Sequence, residues 1–245
     1  MPAFHPAIRT AALAAVLQLC TTSASAQESA YADLDACTRN EQIKLTAKGA
    51  MIGALAGLSG AFLSGKKDKA LKATLVGAVG GGGVGLATAF YTAIDTCRKL
   101  NPGWISESSL VRDPGKSYAQ VKKEHRYSAA EGTTLHLRDM AMPSQARAGE
   151  SIAVDSVYDV LTPDGAEANV VFSRKLFVIA GGVETPVTFP MAELATRTVE
   201  AGRSKESLNL PIPGASEAGT VYRVELSASA GGKAPVTMTR SVTII

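Results

Sequence analysis

The sequence has little that points to catalysis. It contains three histidines and three cysteines in 245 residues, and they show no spacing typical of a zinc site. It also has no G-x-S-x-G nucleophile elbow and no phosphate-binding loop ending in G-K-[ST]. Gly80-x-Gly82-x-x-Gly85 matches a dinucleotide-binding pattern, but it lies in an apolar run without a βαβ context. We therefore predict that the protein is not an enzyme and has no cofactor and no metal site.

An excess of charge of one sign is also lacking. The 25 basic and 22 acidic residues give a net charge of +3, which is too even a balance for a nucleic-acid-binding protein. Charged residues make up only 19% of the chain and aromatic residues 5%. The hydrophobic fraction of 46% excludes a largely disordered chain. The length suits one or two domains.

Residues 1–26 show the pattern of a secretory signal peptide. Arg9 is their only charge, an apolar run follows it, and the small residues Ala-Ser-Ala precede Gln27. We expect cleavage after Ala26 and export of the mature chain. Lipidation at Cys20 is the alternative, but Leu19 is not the small residue that such a site needs before the cysteine.

Two uncharged stretches, 49–65 and 73–94, carry small residues at every fourth position. Residues four apart lie on one ridge of a helix, and small side chains let two helices approach closely. The charged segment Lys66–Lys72 separates the stretches and predicts a turn. Residues 27–100 are therefore predicted to form a helical hairpin whose packing ridges are Gly49, Gly53, Gly57, Gly77, Gly81 and Gly85.

Helix propensity opposes this prediction. Each glycine in a helix interior costs about 1 kcal/mol relative to alanine, and Gly80–Gly83 is a run of four. We expect these helices to form when they are paired or inserted in a membrane, and to be unstable alone in water.

Cys37 and Cys97 are the two cysteines of the expected mature chain. An antiparallel hairpin places them nearly level at its open end, and an exported protein meets an oxidising compartment. We predict a disulfide between them. Asp33 and Asp35 are both candidates to cap the first helix.

The paired glycine repeats resemble those of the glycine-zipper proteins of bacterial envelopes. The resemblance covers about residues 45–95 and rests on Gly49, Gly53 and Gly57 together with Gly77, Gly81 and Gly85. It implies a bacterial protein that associates with a membrane or oligomerises. A soluble helical hairpin packed against its own domain is the alternative.

Residues 101–131 are predicted to be a linker with a short helix near Ser117–Tyr127. For Trp104 two positions stay open: a membrane interface, or packing against the end of the hairpin. Basic residues cluster in and near this segment, either to meet an anionic lipid or glycan or as an ordinary solvated surface. They are Lys116, Lys122, Lys123, His125, Arg126 and Arg138.

Residues 132–245 contain about seven short runs rich in β-branched residues, separated by turn signals such as Pro163-Asp164-Gly165. This pattern predicts an antiparallel, immunoglobulin-like β-sandwich. The stretch LNLPIPGASEAGTVYRVELSAS resembles fibronectin type III domains, which implies a corner role for Tyr222. Asp155 and Asp159 lie four apart near a strand end, a carboxylate pair too common to carry weight.

The predicted fold class is thus α+β in two parts, a glycine-zipper hairpin followed by the sandwich. We expect a non-catalytic envelope protein of the periplasm or outer membrane, with the inner membrane less favoured. Its expected partners are membrane lipid and further copies of the chain or another envelope protein, with no nucleic acid. The alternatives are a pore-forming or membrane-disrupting oligomer and a soluble periplasmic binding module.

Overall fold

The computed structural model describes residues 33–45, 67–104, 108–191 and 194–245, with the backbone alone for 67–82. All of them belong to one compact unit of the chain. The predicted signal peptide and the first glycine ridge, Gly49, Gly53 and Gly57, lie outside these residues. None of the described helices combines the length and the apolarity that crossing a membrane requires.

Two helices precede the sheets among the described residues. The first, α1, covers residues 34–45, and the Oδ1 atom of Asp33 accepts a hydrogen bond from the backbone N of Ala36 at 2.7 Å. Asp33 is therefore the cap of α1. The second helix, α2, runs from Lys67 to Leu100 without a break at its four consecutive glycines. The charged segment Lys66–Lys72, which we expected to form a turn, is helical from Lys67 onward, so that expectation was wrong over most of its length.

In the part of the chain that the structure describes, ten strands form two sheets that face each other. The first sheet has the order β1-β8-β4-β2, and the second has the order β3-β10-β9-β5-β6 with β7 also paired to β5. All pairs are antiparallel except β3 with β10. The strands are β1 Ser109–Arg112, β2 Thr134–Ala141, β3 Gln145–Ala146, β4 Ser151–Leu161, β5 Ala168–Ala180, β6 Val183–Val187, β7 Leu194–Val199, β8 Gly202–Pro211, β9 Val221–Ala230 and β10 Val236–Ile244.

The core lies between the two sheets. Side chains alternate between buried and accessible along much of β4, β5, β8 and β9, as expected when one face of each strand meets the facing sheet. The larger buried cluster combines Ile152 and Leu210 of the first sheet with Leu176 and Val224 of the second. The predicted β-sandwich is therefore present in the second half of the chain.

The segment 101–131, predicted to be a linker, is largely part of the sandwich. It contains the predicted helix as α3, Tyr118–Glu124, which a capping box between Ser117 and Gln120 starts. It also contains β1, which pairs with β8 and forms an edge of the first sheet. The sandwich thus begins before residue 132, because pairing with β8 satisfies backbone groups that a free linker would leave to water.

Candidate functional site

The disulfide predicted between Cys37 and Cys97 is present in the structure. It joins α1 to the last turn of α2, its Cα atoms are 6.0 Å apart, and both residues are fully buried. We call α1 together with residues 83–100 of α2 the helical stem. Because the bond links two residues separated by 60 positions, it fixes the two helices of the stem to each other.

The stem is part of the sandwich core through one face of α2. Ala87, Tyr91 and Ile94 are buried in the same cluster as the strand residues. Their spacing of three and four residues places them on one side of the helix. At Gly83 a Cβ atom would lie 3.7 Å from Ala180 Cβ, so α2 is close to the second sheet at this position.

Tyr222, the predicted corner tyrosine, makes a different contact from the one that the resemblance implies. Its hydroxyl lies 2.6 Å from Ser216 Oγ, a side chain six residues earlier, and its ring packs edge-on against Tyr91 at 6.2 Å. A corner tyrosine bonds to the backbone upstream. Here the residue instead joins the sandwich to α2.

A cleft of about 350 Å³ opens between the stem and the first sheet. We call it the junction cleft. That volume is within the usual range of small-molecule sites. Trp104 lines it from the short 3₁₀ turn Pro102–Trp104, so this residue packs at the end of the stem. The other lining residues are Leu34, Ile94, Ser109, Ser151, Pro190, Met191, Ser207, Leu208, Asn209 and Pro211.

A buried ion pair between Asp159 and Arg203 connects α3 to the first sheet, away from the stem. Asp159 is fully buried, and its two oxygens accept hydrogen bonds from Arg203 Nε and Nη2 at 2.8 Å each. His125 Nε2 of the segment after α3 lies 2.7 Å from Asp159 Oδ2. Burial raises the pKa of Asp159, but the hydrogen bonds from Arg203 and His125 outweigh it and hold the pKa below its usual value.

Three of the six residues of the predicted basic cluster, Lys116, His125 and Arg138, contact this network. Lys116 and Arg203 both pair with Glu124, and Arg138 Nε lies 3.8 Å from Asp159 Oδ2. His136 stacks on His125 with ring centroids 4.2 Å apart. Burial lowers the pKa of His136, and the neighbouring imidazole of His125 lowers it further. Asp155 is exposed while Asp159 is buried, so the two aspartates do not form a carboxylate pair.

A second buried ion pair crosses between the sheets. Arg174 of β5 and Glu206 of β8 are in direct contact and almost fully buried. Ser108 Oγ donates a hydrogen bond to Glu206 Oε1 at 2.5 Å, and the Ser108 carbonyl accepts one from Arg197 at 3.2 Å. These contacts hold the start of β1 against both sheets.

The glycine ridge of α2 is only partly described. Gly77 and Gly81 lie in the helix. Gly85 is exposed, and no described atom lies within 4 Å of the position that its Cβ would take. Ala89 and Ala93, which continue the same spacing, are buried. Gly85 differs in exposure from Ala89 and Ala93 because four residues turn a helix by about 400°, which is about 40° more than a full turn. A ridge of every fourth residue therefore winds slowly around the helix axis.

Sequence reasoning missed most residues of these contacts. Arg203 and Glu206 stand in the polar stretch GRSKESLNLP, whose weak alternation gives no sign that two charges face inward. Asn209 of the junction cleft appears as an ordinary exposed strand residue. Tyr91 was the one available signal, since a tyrosine in an alanine- and glycine-rich helix needs a partner for its hydroxyl.

No family model matches the chain, and no curated protein matches it. Solved structures match 46% of it. One is a β-glucosidase from Listeria innocua in complex with gluconolactone, at 15% identity and a TM-score of 0.34, and the match spans 16% of that chain. Another is a family 123 glycoside hydrolase from Clostridium perfringens, at 11% identity and a TM-score of 0.32 over 27% of that chain.

A third match is a CARDB domain from Pyrococcus furiosus in complex with di-metal ions. It is 12% identical, with a TM-score of 0.31, and the match spans 94% of that domain. TM-scores in this range carry no argument about activity, ligand or partner. The fold described above follows from the sheet order and the shared core.

Proposed function

We propose that this chain is an exported, non-catalytic protein of the bacterial cell envelope. In it a glycine-rich hairpin associates with a membrane or with further copies, and a β-sandwich is presented for binding. One observation carries the proposal: α2 runs as a single helix from the uncharged glycine-rich segment into the sandwich core. Anchoring or moving the N-terminal part of α2 would therefore also anchor or move the sandwich.

The described contacts of α2 with the sandwich begin at Gly83. The helical backbone from Lys67 to that point is about 24 Å long at 1.5 Å per residue. It carries Gly77 and Gly81 at the spacing that lets helices approach closely. The disulfide between Cys37 and Cys97 holds α1 beside the C-terminal end of α2. The stem therefore anchors the glycine-rich part of α2 to the sandwich.

The sandwich is proposed to be immunoglobulin-like. Strands β2, β4 and β8 lie in one sheet and β5, β9 and β10 in the other, the arrangement of strands A, B, E and C, F, G. The short β3 pairs in parallel with the last strand. β1 takes the place beside strand E, although it comes from the segment before the sandwich. A sandwich of this kind hosts many functions, so the binding role rests on the cleft and the contacts of this chain.

The buried charges support a structural role. Asp159 and Glu206 each face an arginine, Arg203 and Arg174, and the first also faces His125. Paired and hydrogen-bonded charges of this kind hold elements together. A catalytic group would instead be expected to face a cleft open to substrate.

A soluble periplasmic binding module is the second candidate. It is favoured by the burial of Ala87, Tyr91 and Ile94 against the sandwich, because that face of α2 already has its partner within the chain. In this case the exposed ridge at Gly85 would face water.

Membrane extraction of the full chain expressed in a bacterium distinguishes the two. We expect the protein to stay in the membrane pellet after alkaline carbonate treatment and to give oligomers on cross-linking. Complete release into the soluble fraction would contradict membrane association and favour the soluble module.

Gly85 allows a matched pair of variants for the packing mechanism. Gly85→Leu should leave the described fold intact, since Gly85 is exposed and no described atom lies within 4 Å of the position of its Cβ. It should prevent close helix contact and abolish cross-linked oligomers. Gly85→Ala keeps the ridge small and should cross-link as the wild type does. Equal cross-linking in all three proteins would overturn the ridge mechanism.

A further inference from the structure

The walls of the junction cleft differ in chemistry. The stem side contributes the apolar side chains of Leu34 and Ile94 and the indole of Trp104. The opposite side, the sheet side, contributes the apolar side chains of Leu208, Pro211, Pro190 and Met191 together with four uncharged polar side chains at the surface of the first sheet. The polar residues are Ser109 of β1, Ser151 of β4, and Ser207 and Asn209 of β8.

The polar groups of the cleft have no partner among the described residues. The side chains of Ser109, Ser151, Ser207 and Asn209 take part in no hydrogen bond or ion pair with the part of the chain that the structure describes. An asparagine amide offers two donors and one acceptor, and each serine hydroxyl offers one donor and two lone pairs. The sheet side can therefore bind several hydroxyl groups of a ligand.

The lining also limits what the cleft accepts. None of its described lining residues is charged, so an ionic ligand would lose hydration without meeting a counter-charge from them. A purely aliphatic ligand would cover the serines and Asn209 without replacing their hydrogen bonds to water. A ligand with one apolar face and one face of hydroxyl groups satisfies both walls.

We propose that the junction cleft binds a neutral pyranose sugar, with the C–H face of the ring against Trp104 and its hydroxyl groups toward Ser207 and Asn209. This inference rests on the proposed non-catalytic binding function and names the ligand class. The two walls belong to different elements, but the Cys37–Cys97 disulfide and the buried Tyr91 hold them in place. The cleft is therefore formed before the sugar arrives, which reduces the entropic cost of binding.

The sugar has two possible sources, a free saccharide or a unit of an envelope glycan. A free saccharide and a glycan unit present the same ring to the cleft. Only the glycan unit is linked to neighbouring sugar units. Titration with a monosaccharide and with its β-linked disaccharide separates them. Tighter binding of the disaccharide indicates a glycan as the source, and equal binding indicates a free sugar.

Trp104 makes the test direct, because it is the only tryptophan in the sequence. The full chain, with its disulfide intact, is titrated with N-acetylglucosamine, methyl β-glucoside, glucuronate and n-octanol while tryptophan fluorescence is followed. We expect a saturable change with a neutral sugar and at least tenfold weaker binding of glucuronate. No saturable change with either neutral sugar, or preference for octanol, would overturn the proposal.

Two variants test the assigned contacts by calorimetry. Asn209→Ala and Ser207→Ala should each weaken sugar binding about two- to tenfold, as expected for one lost hydrogen bond. Both positions are outside the buried core, so the fold should persist, which circular dichroism checks. Asn169→Ala is the matched control, since this asparagine of β5 lies outside the cleft and bonds to Thr198. Equal binding by Asn209→Ala, Ser207→Ala and the control would refute the site.

The outcome is independent of membrane association. Carbonate extraction of the Asn209→Ala variant should match that of the wild type. A wild type that stays in the membrane pellet but binds neither neutral sugar overturns the sugar site alone. Release of the wild type and the variant into the soluble fraction, with sugar binding by the wild type retained, contradicts only the membrane part of the proposed function.

Discussion

Tyr91 of α2 donates a hydrogen bond from its hydroxyl to the backbone carbonyl of Pro211, at the end of β8, over 2.8 Å. The tyrosine is fully buried, and burial raises the pKa of its hydroxyl, so the group stays protonated as a donor. The bond spans 120 residues of sequence and fixes the helical stem to the first sheet.

Substitution of Tyr91 should separate the polar and apolar parts of this contact. Tyr91→Phe should lower the free energy of unfolding by about 1 kcal/mol through the lost hydrogen bond. Tyr91→Ala should lower it by about 3–5 kcal/mol because it also leaves a cavity. Urea denaturation measures both, with Leu100→Ala at an exposed position as the control. Values for Tyr91→Ala no larger than the control would show that α2 is not docked.

Removing the disulfide should destabilise the protein by about 4 kcal/mol, because the cross-link spans 60 residues and restricts the unfolded chain. Urea denaturation with and without a reductant measures this difference. The double variant Cys37→Ala/Cys97→Ala should have the same free energy of unfolding with and without reductant, equal to that of the reduced wild type. Denaturation of the wild type that does not respond to reductant, together with two reactive thiols after unfolding, would mean that the bond does not form.

Asp159→Asn should cost about 3–5 kcal/mol at neutral pH, because Arg203 would lose its buried counter-charge. The pKa of Asp159 is lower in the folded protein than in the unfolded chain. Its contribution is therefore complete above the unfolded pKa and is lost as the pH falls through the folded value. The difference between variant and wild type in urea denaturation should shrink as the pH is lowered below about 4.

Asp155→Asn is the matched control for that measurement, since Asp155 lies on the same strand but is exposed. It should change stability by less than about 0.5 kcal/mol. A constant difference between Asp159→Asn and wild type from neutral to strongly acidic pH would contradict the ion pair.

The Arg174–Glu206 pair calls for a double-mutant cycle. Arg174→Met or Glu206→Leu alone should cost about 3–5 kcal/mol, because each leaves a buried charge without its partner. The double variant should recover most of that loss, since apolar side chains replace both charges, although the Ser108 hydroxyl loses its acceptor. Thermal and urea unfolding of all four proteins measure the coupling. Additive losses in the double variant would show that the two charges do not depend on each other.

The sequence predicted the elements best where one periodicity dominated. The alternating runs after residue 132 indicated a sandwich, and the four-residue spacing after Ala73 indicated a helix that the structure extends over Lys67–Leu100. The segment 101–131 was misjudged as a linker. Its Ser109–Arg112 is too short to show a pattern of its own and becomes a strand only because β8 offers a free edge.

Local chemistry along the chain indicated apolar strands, a glycine-rich helix and a pair of cysteines that the structure joins between α1 and α2. Only the tertiary structure decided which face of α2 is covered, which charges are buried in pairs and where the junction cleft opens. The reason is physical: burial and pairing depend on residues far apart in sequence, such as Tyr91 with Pro211 and Arg174 with Glu206. A periodicity predicts which residues share a face of a helix or strand. Whether that face is buried, and which residues it contacts, depends on the surface that packs against it.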